Sequence, residues 1–129
     1  MGAAVEIALF ATYHRWLERA DSKGSCDMYR LVVNYGHPAE PEAFLEHYRS
    51  VHAPIAKRLP NLASYTYGVC ESPDGSTPEY FLTAVLDWPT KEAALGDLGS
   101  SVGQEATADL ANFAQAGVSM VFYEAETVI

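Results

Sequence analysis

His52 carries the side chain best suited to proton transfer near neutral pH. It stands two positions before Pro54 in the run FLEHYRSVHAPIAKRLP, Phe44 to Pro60. A proline inside a helix lacks the backbone donor and crowds the preceding turn, so the helix is expected to break or kink near His52. Irregular backbone there can turn an imidazole toward a cleft. A second reading stays open: the ring hydrogen-bonds a carbonyl that Pro54 leaves without a donor, and merely holds the kink. Tyr48 lies one turn earlier, on the side of the helix that His52 shares, where a phenol would be a second donor beside the imidazole or simply a core aromatic. His47 is five positions before His52, about 140° around a regular helix. The two do not point into one pocket while the helix is regular, so His47 reads as a surface or interface residue.

Other residues could complete a site. Asn34 or Tyr48 could polarise an oxygen. Tyr65, Tyr67, Tyr29, Trp88 and Phe113 supply aromatic surface of the kind that lines pockets for flat, apolar molecules, although core or dimer contacts are the commoner role. Asp109 could orient or charge-balance a basic group, an exposed helix carboxylate being the more frequent case. His37, next to Pro38, and His14 read as solvent-exposed. Cys26 and Cys70 have no metal-ligand spacing with each other or with the histidines and read as ordinary thiols. Gly96, Gly99 and Gly103 do not follow a strand as a dinucleotide loop requires. A redox role would therefore need oxygen with a reactive substrate, a bound haem, or a partner protein.

The elements that must hold these residues follow from hydrophobic periodicity. MYRLVVNY, from Met28, is β-branched and aromatic, and Gly36-His37-Pro38 ends it as a first strand. Pro41 opens a helix in which Phe44, Tyr48 and Val51 form one stripe. Pro54 begins a short second segment, Ile55 to Leu59. LASYTYGVC and YFLTAVLDW, joined by the turn-forming run Ser72 to Pro78, read as an antiparallel hairpin. Thr90 is an N-cap for KEAAL, and Ser101 with Gln104 forms a capping box for a longer helix with Val102, Ala106, Leu110 and Phe113 on one face. VSMVFYEAE is the fourth strand. The order β-α-β-β-α-β predicts an α+β, ferredoxin-like fold with a four-stranded antiparallel sheet.

Strand three places Tyr80, Leu82, Ala84 and Leu86 on one side, and Phe81 and Val85 on the other, so both sheet faces are expected to be buried. Two helices cover one face. A second copy of the chain is the simplest cover for the other, giving a homodimeric α+β barrel. A solution measurement that finds only monomer at micromolar concentration would contradict it.

With 129 residues, the chain suits one domain, 28–129, and residues 1–27 read as a helical N-terminal extension plus linker, with Leu9, Tyr13, Trp16 and Leu17 at helical spacing. Net charge is −9, with no basic residue after Lys91, which argues against nucleic acid and anionic lipid partners. No apolar run approaches the roughly 20 residues of a membrane span. The first ten residues lack a basic n-region and are a poor secretory signal, so the cytoplasm is the expected location.

Phe44 to Pro60, followed by Leu62 and Tyr65, together with YRLVVNY and Ala108-Asp109-Leu110-Ala111-Asn112-Phe113, resembles the EthD family within the dimeric α+β barrel superfamily. The resemblance covers roughly Met28 to Glu126. Its most specific part is Tyr48…His52-Ala53-Pro54 with Leu59-Pro60, supported by Asp109 and Phe113. It implies a dimeric ferredoxin-like fold with a cleft between helices and sheet. It also implies a link to degradation of ethers and aromatic compounds or to polyketide tailoring, under a generic oxidoreductase label. Superfamily relatives include cofactor-free monooxygenases, isomerases and haem proteins.

Three functions fit. The first is an enzyme acting on a small apolar or aromatic metabolite, with His52 as acid/base, through cofactor-free oxygenation or redox-neutral chemistry. The second is a non-catalytic accessory protein that binds a metabolite and supports an oxygenase. The third is haem binding through His52 or His47.

Overall fold

The computed structural model describes residues 27–129. The extension expected over residues 1–27 thus lies, apart from Asp27, outside the described residues. Met28–Ala125 forms a compact unit of its own.

Strand β1 (Tyr29–Tyr35) is central. It pairs antiparallel with β3 (Leu82–Trp88) on one side and β4 (Val118–Glu124) on the other, and β2 (Ser64–Val69) pairs antiparallel with β3. The sheet order is β2-β3-β1-β4, the ferredoxin-like arrangement expected from the sequence. Side chains alternate across the sheet. Leu31, Val33 and Tyr35 of β1 and Leu82, Ala84, Leu86 and Trp88 of β3 are buried together with Phe44, Tyr48, Ala94 and Phe113 from the helices.

The opposite face is more polar than the sequence suggested. Val32 lies in register with Val85 and Val121. Beside this valine row, Arg30 donates to both oxygens of Asp87, at 2.7 and 2.9 Å. Phe81, expected beside Val85, instead packs edge-on against Phe44 at 5.4 Å. The strand begins only at Leu82, so the alternation does not reach Phe81.

Helix α1 (Pro41–His47), a π-helical turn (Tyr48–His52) and α2 (Ala53–Ala56) run on without a break. His47, His52 and Ala53 all keep helical dihedrals. The expected kink is replaced by one wide turn, in which Ala53 N–H donates to Tyr48 O, five residues back. Pro54 then falls in the first turn of α2, where its missing N–H matters least. The widened turn also changes which side chains face inward: Val51, expected on the buried stripe, is 38 % exposed, and His52 is buried in its place.

Thr90 caps α3 (Lys91–Gly99) by accepting from Ala93 N–H, as expected. Helix α4 (Ser101–Phe113) is capped by Ser100 rather than Ser101, through Gly103 N–H. Ser100 therefore ends one helix and starts the next, which makes a tight elbow. Asp97, buried beneath it, accepts from Trp88 Nε1 at 2.8 Å and from the backbone and side-chain amides of Asn61, each at 2.9 Å. A buried carboxylate with three donors ties α3 to the sheet. Among the described residues, no helix is long and apolar enough to cross a membrane.

Candidate functional site

The π-turn decides the site. With hydrogen bonds running i to i+5, residues five apart stack along the helix, and such turns recur at functional positions. His47 and His52 are five apart, and both reach Asp109 on α4. His52 Nδ1 lies 2.9 Å from Asp109 Oδ2. His47 Nε2 lies 2.9 Å from Oδ1 and 3.1 Å from Oδ2. Asn112, one turn on from Asp109, donates its amide to Oδ1 at 3.0 Å. His47 is therefore half-buried beside His52 rather than on a separate surface, because the regular geometry that would have parted them is absent.

Asp109 itself is 5 % exposed, not an outward-facing helix carboxylate. Burial works against its charge, but the hydrogen bonds from Asn112, His47 and His52 outweigh it and hold the carboxyl below its usual range. An ionised carboxylate only accepts, so His52 must carry its proton on Nδ1. Burial is also the largest influence on His52 itself, disfavouring the imidazolium and lowering its pKa, with Asp109 opposing by a smaller amount. The ring is thus neutral at pH 7, and Nε2 presents a lone pair. Among the described residues, Nε2 makes no hydrogen bond. Nor does the ring bond a carbonyl freed by Pro54.

His52 forms part of the wall of a cavity of about 160 Å³ between the helices and the sheet. The remaining wall is aliphatic, including Leu31, Val33, Leu86 and Leu110, and polar only at three phenols, Tyr35, Tyr48 and Tyr65, and at Thr107. An apolar cavity of about 150 Å³ accommodates a single benzene-sized ring. Tyr48 Oη and Tyr65 Oη are 2.6 Å apart. Burial raises the pKa of all three phenols, which keeps them protonated. Phe113 packs against both imidazoles at 4.9 Å, and the Tyr67 ring lies 4.7 Å from that of Tyr48. Phe113 and Tyr67 thus buttress the site.

The structure brings together His52, Tyr48, Tyr65, Tyr67, Asp109 and Phe113 of the residues singled out from sequence. It does not bring in Asn34, which alternates onto the far face of β1 and accepts from Thr83 Oγ1 at 2.7 Å. Nor does it bring in Trp88, fully buried with its indole N–H given to Asp97. Sequence reasoning set His47 apart as a surface or interface residue, and missed Asn112 and Tyr35. Asn112 could have been found from its i+3 spacing to Asp109. Tyr35 could have been found from its parity with Leu31 and Val33. Among the described residues, no group of three or more His, Cys, Asp or Glu is placed to hold a metal ion.

No protein-family model matches the chain. It is 43 % identical over 102 residues to an uncharacterized 11.0 kDa protein of the thcB–thcC intergenic region of Rhodococcus erythropolis, covering 79 % of this chain and 99 % of that one. Among solved structures, an ethyl tert-butyl ether D (EthD) family protein from Bacillus halodurans superposes with a TM-score of 0.72 at 24 % identity, covering 77 % and 99 % of the two chains. An EthD-like protein from Ralstonia eutropha gives 0.64 at 19 %, covering 80 % and 96 %. More distant structures with the same fold include a hydroxynitrile lyase from Passiflora edulis (TM-score 0.64, 9 % identity, 80 % and 97 % covered) and a cofactor-independent oxygenase from Streptomyces nogalater (0.58, 16 %, 80 % and 98 %). Several fold neighbours, one from Thermobifida fusca among them, are described as dimeric ferredoxin-like proteins. The chain belongs to the same family as the Rhodococcus protein and has the EthD-like, ferredoxin-like fold.

Proposed function

We propose that the protein is an acid/base enzyme acting on a small, neutral, largely apolar molecule about one ring in size. His52 Nε2 removes a proton from the bound molecule, Asp109 holds the imidazole in the tautomer that makes this possible, and the Tyr48–Tyr65 pair polarises an oxygen of the substrate. The observation that carries this reading is the 2.9 Å contact between His52 Nδ1 and the Asp109 carboxylate at the wall of an apolar cavity. It is the arrangement by which a carboxylate orients a general base.

Proton removal is a first step that several reaction classes share. Reprotonation elsewhere gives an isomerisation, loss of a leaving group gives a lyase reaction, and capture of dioxygen by the anion gives a cofactor-free oxygenation. Two fold neighbours are named for a lyase and for a cofactor-independent oxygenase, so both outcomes occur on this framework. Haem ligation is not part of the proposal, because the cavity, at about 160 Å³, suits one ring rather than a porphyrin. We also infer a homodimer formed over the valine-bearing sheet face, in keeping with the dimeric fold neighbours.

An assay on a surrogate substrate tests the chemistry. Exchange of the α-hydrogens of cyclohexanone for deuterium, followed by proton NMR in D₂O, is expected to be accelerated by the wild-type protein. His52→Gln is expected to reduce that acceleration by at least about a hundredfold. Exchange unchanged in His52→Gln would remove His52 from the mechanism. Bound ketone with no exchange would instead assign the protein to the accessory, ligand-holding role.

A further inference from the structure

Tyr35 is 2 % exposed and helps to line the cavity. Its ring is fixed edge-on to Phe44 at 5.5 Å and to Tyr48 at 5.7 Å. Its polar neighbour is the Tyr48 phenol, close enough to oppose slightly the rise that burial gives its pKa, yet among the described residues its hydroxyl makes no hydrogen bond within 3.5 Å, although buried polar groups are nearly always paired and leaving one unpaired is costly.

Donor accounting sharpens this. Each phenol has one O–H and two lone pairs, so Tyr35, Tyr48 and Tyr65, neighbours in the cavity wall, bring three donors to it. The contact between Tyr48 and Tyr65 uses one of them. Two O–H donors remain with no protein acceptor within 3.5 Å among the described residues. The Thr107 hydroxyl donates to Gly103 O at 2.9 Å and makes no hydrogen bond with a phenol. In the wall of the same cavity, with its ring 5.3 Å from that of Tyr48, His52 offers a lone pair that has no donor among the described residues.

We infer that the cavity takes a neutral ring compound with a carbonyl-type acceptor oxygen, bound by Tyr35 together with the Tyr48–Tyr65 pair, next to the acidic hydrogen that His52 removes. The inference rests on the proposed acid/base reading and narrows it to the ketone or enolisable class. Charge would build on that oxygen when the proton leaves, and two phenolic donors aimed at it would stabilise the anion more than the neutral ketone. Tyr35 is then a residue that touches substrate, and the cavity has no use for its hydroxyl when empty.

The test compares two ligands of one shape, cyclohexanone and methylenecyclohexane, in wild-type protein and in Tyr35→Phe, by ligand-observed NMR titration. Cyclohexanone is expected to bind Tyr35→Phe about tenfold more weakly, the loss expected for one hydrogen bond. Methylenecyclohexane should bind both proteins equally. The ligand-free Tyr35→Phe protein should melt no lower than wild type, since the hydroxyl has no hydrogen bond within 3.5 Å to lose. Equal weakening of both ligands, no weakening of either, or a fall in melting temperature without ligand would overturn the inference while leaving a ring-sized site intact. Failure of both ligands to bind wild type would instead overturn the ring-sized cavity reading, and this inference with it.

Discussion

Replacing Asp109 by Asn is expected to reduce His52-dependent proton transfer by about three to four orders of magnitude. Four donor contacts converge on the carboxylate: His52 on Oδ2, His47 on both oxygens and Asn112 on Oδ1. A carboxamide has one oxygen to accept and one NH₂ group that can only donate. If the oxygen stays with His47 and Asn112, the NH₂ faces His52 Nδ1 and forces that nitrogen to accept. The proton then moves to Nε2, and the base is lost from the cavity side. The same substitution removes the negative charge that would stabilise the imidazolium formed in the reaction. Stability should fall by about 2 kcal/mol, the scale of one or two hydrogen bonds to a charged group. Deuterium exchange and a denaturant titration read the two effects separately. Exchange within tenfold of wild type would show that Asp109 does not orient the base.

The second large effect is on folding. Gly103→Ala is expected to destabilise the protein by about 3 kcal/mol. A Cβ at this position would collide with the backbone carbonyl groups of Asp97 and Leu98. Those carbonyls end α3, and the Ser100 hydroxyl between the helices donates to Asp97 O at 2.5 Å. The obstacle is backbone rather than the end of a flexible side chain, so the α3–α4 elbow must open. Opening it disturbs Asp97 and its hold on Trp88 and Asn61. Because Gly103 also lines the cavity, ring-ligand binding should weaken along with stability. A denaturation midpoint equal to wild type would show that the elbow yields freely.

The strand and helix order was legible in the sequence because each element announces itself locally. β1 is a β-branched run closed by Gly36 and a proline. α3 starts at a threonine with the right spacing. α1 starts at Pro41. What was not legible depends on one backbone event. Pro54 signals a disturbance near His52, but nothing in the residues distinguishes a kink from a single π-turn, since both relieve the missing N–H. The π-turn moves Val51 out, His52 in, and His47 alongside it, so the stripe counted at helical spacing failed beyond Tyr48. Asp109 misled for a related reason. On periodicity alone it borders a face that Val102, Ala106, Leu110 and Phe113 define, and its burial is offset by the Asn112 amide together with two imidazoles from another helix. Asn34 and Trp88 have suitable chemistry, but strand parity puts the first on the wrong face and a buried carboxylate claims the second.

Everything proposed for the site depends on a neutral His52 whose proton Asp109 holds on Nδ1, leaving its other nitrogen free. Two-bond nitrogen–proton correlation NMR of the histidine rings, recorded from pH 8 downward, tests it directly. His52 should show a protonated Nδ1 and an unprotonated Nε2 at pH 7, and should titrate below its ordinary 6.5 because burial disfavours the charged ring. A lowered folded-state pKa means that the unfolded chain binds this proton first. The stability it contributes is therefore present above pH 6.5 and is lost as pH falls through the folded-state value. The lowered Asp109 carboxyl adds a second loss below its ordinary 3.8. A His52 ring protonated on Nε2 at neutral pH, or one titrating above 6.5, would rule out His52 as a base held ready by Asp109.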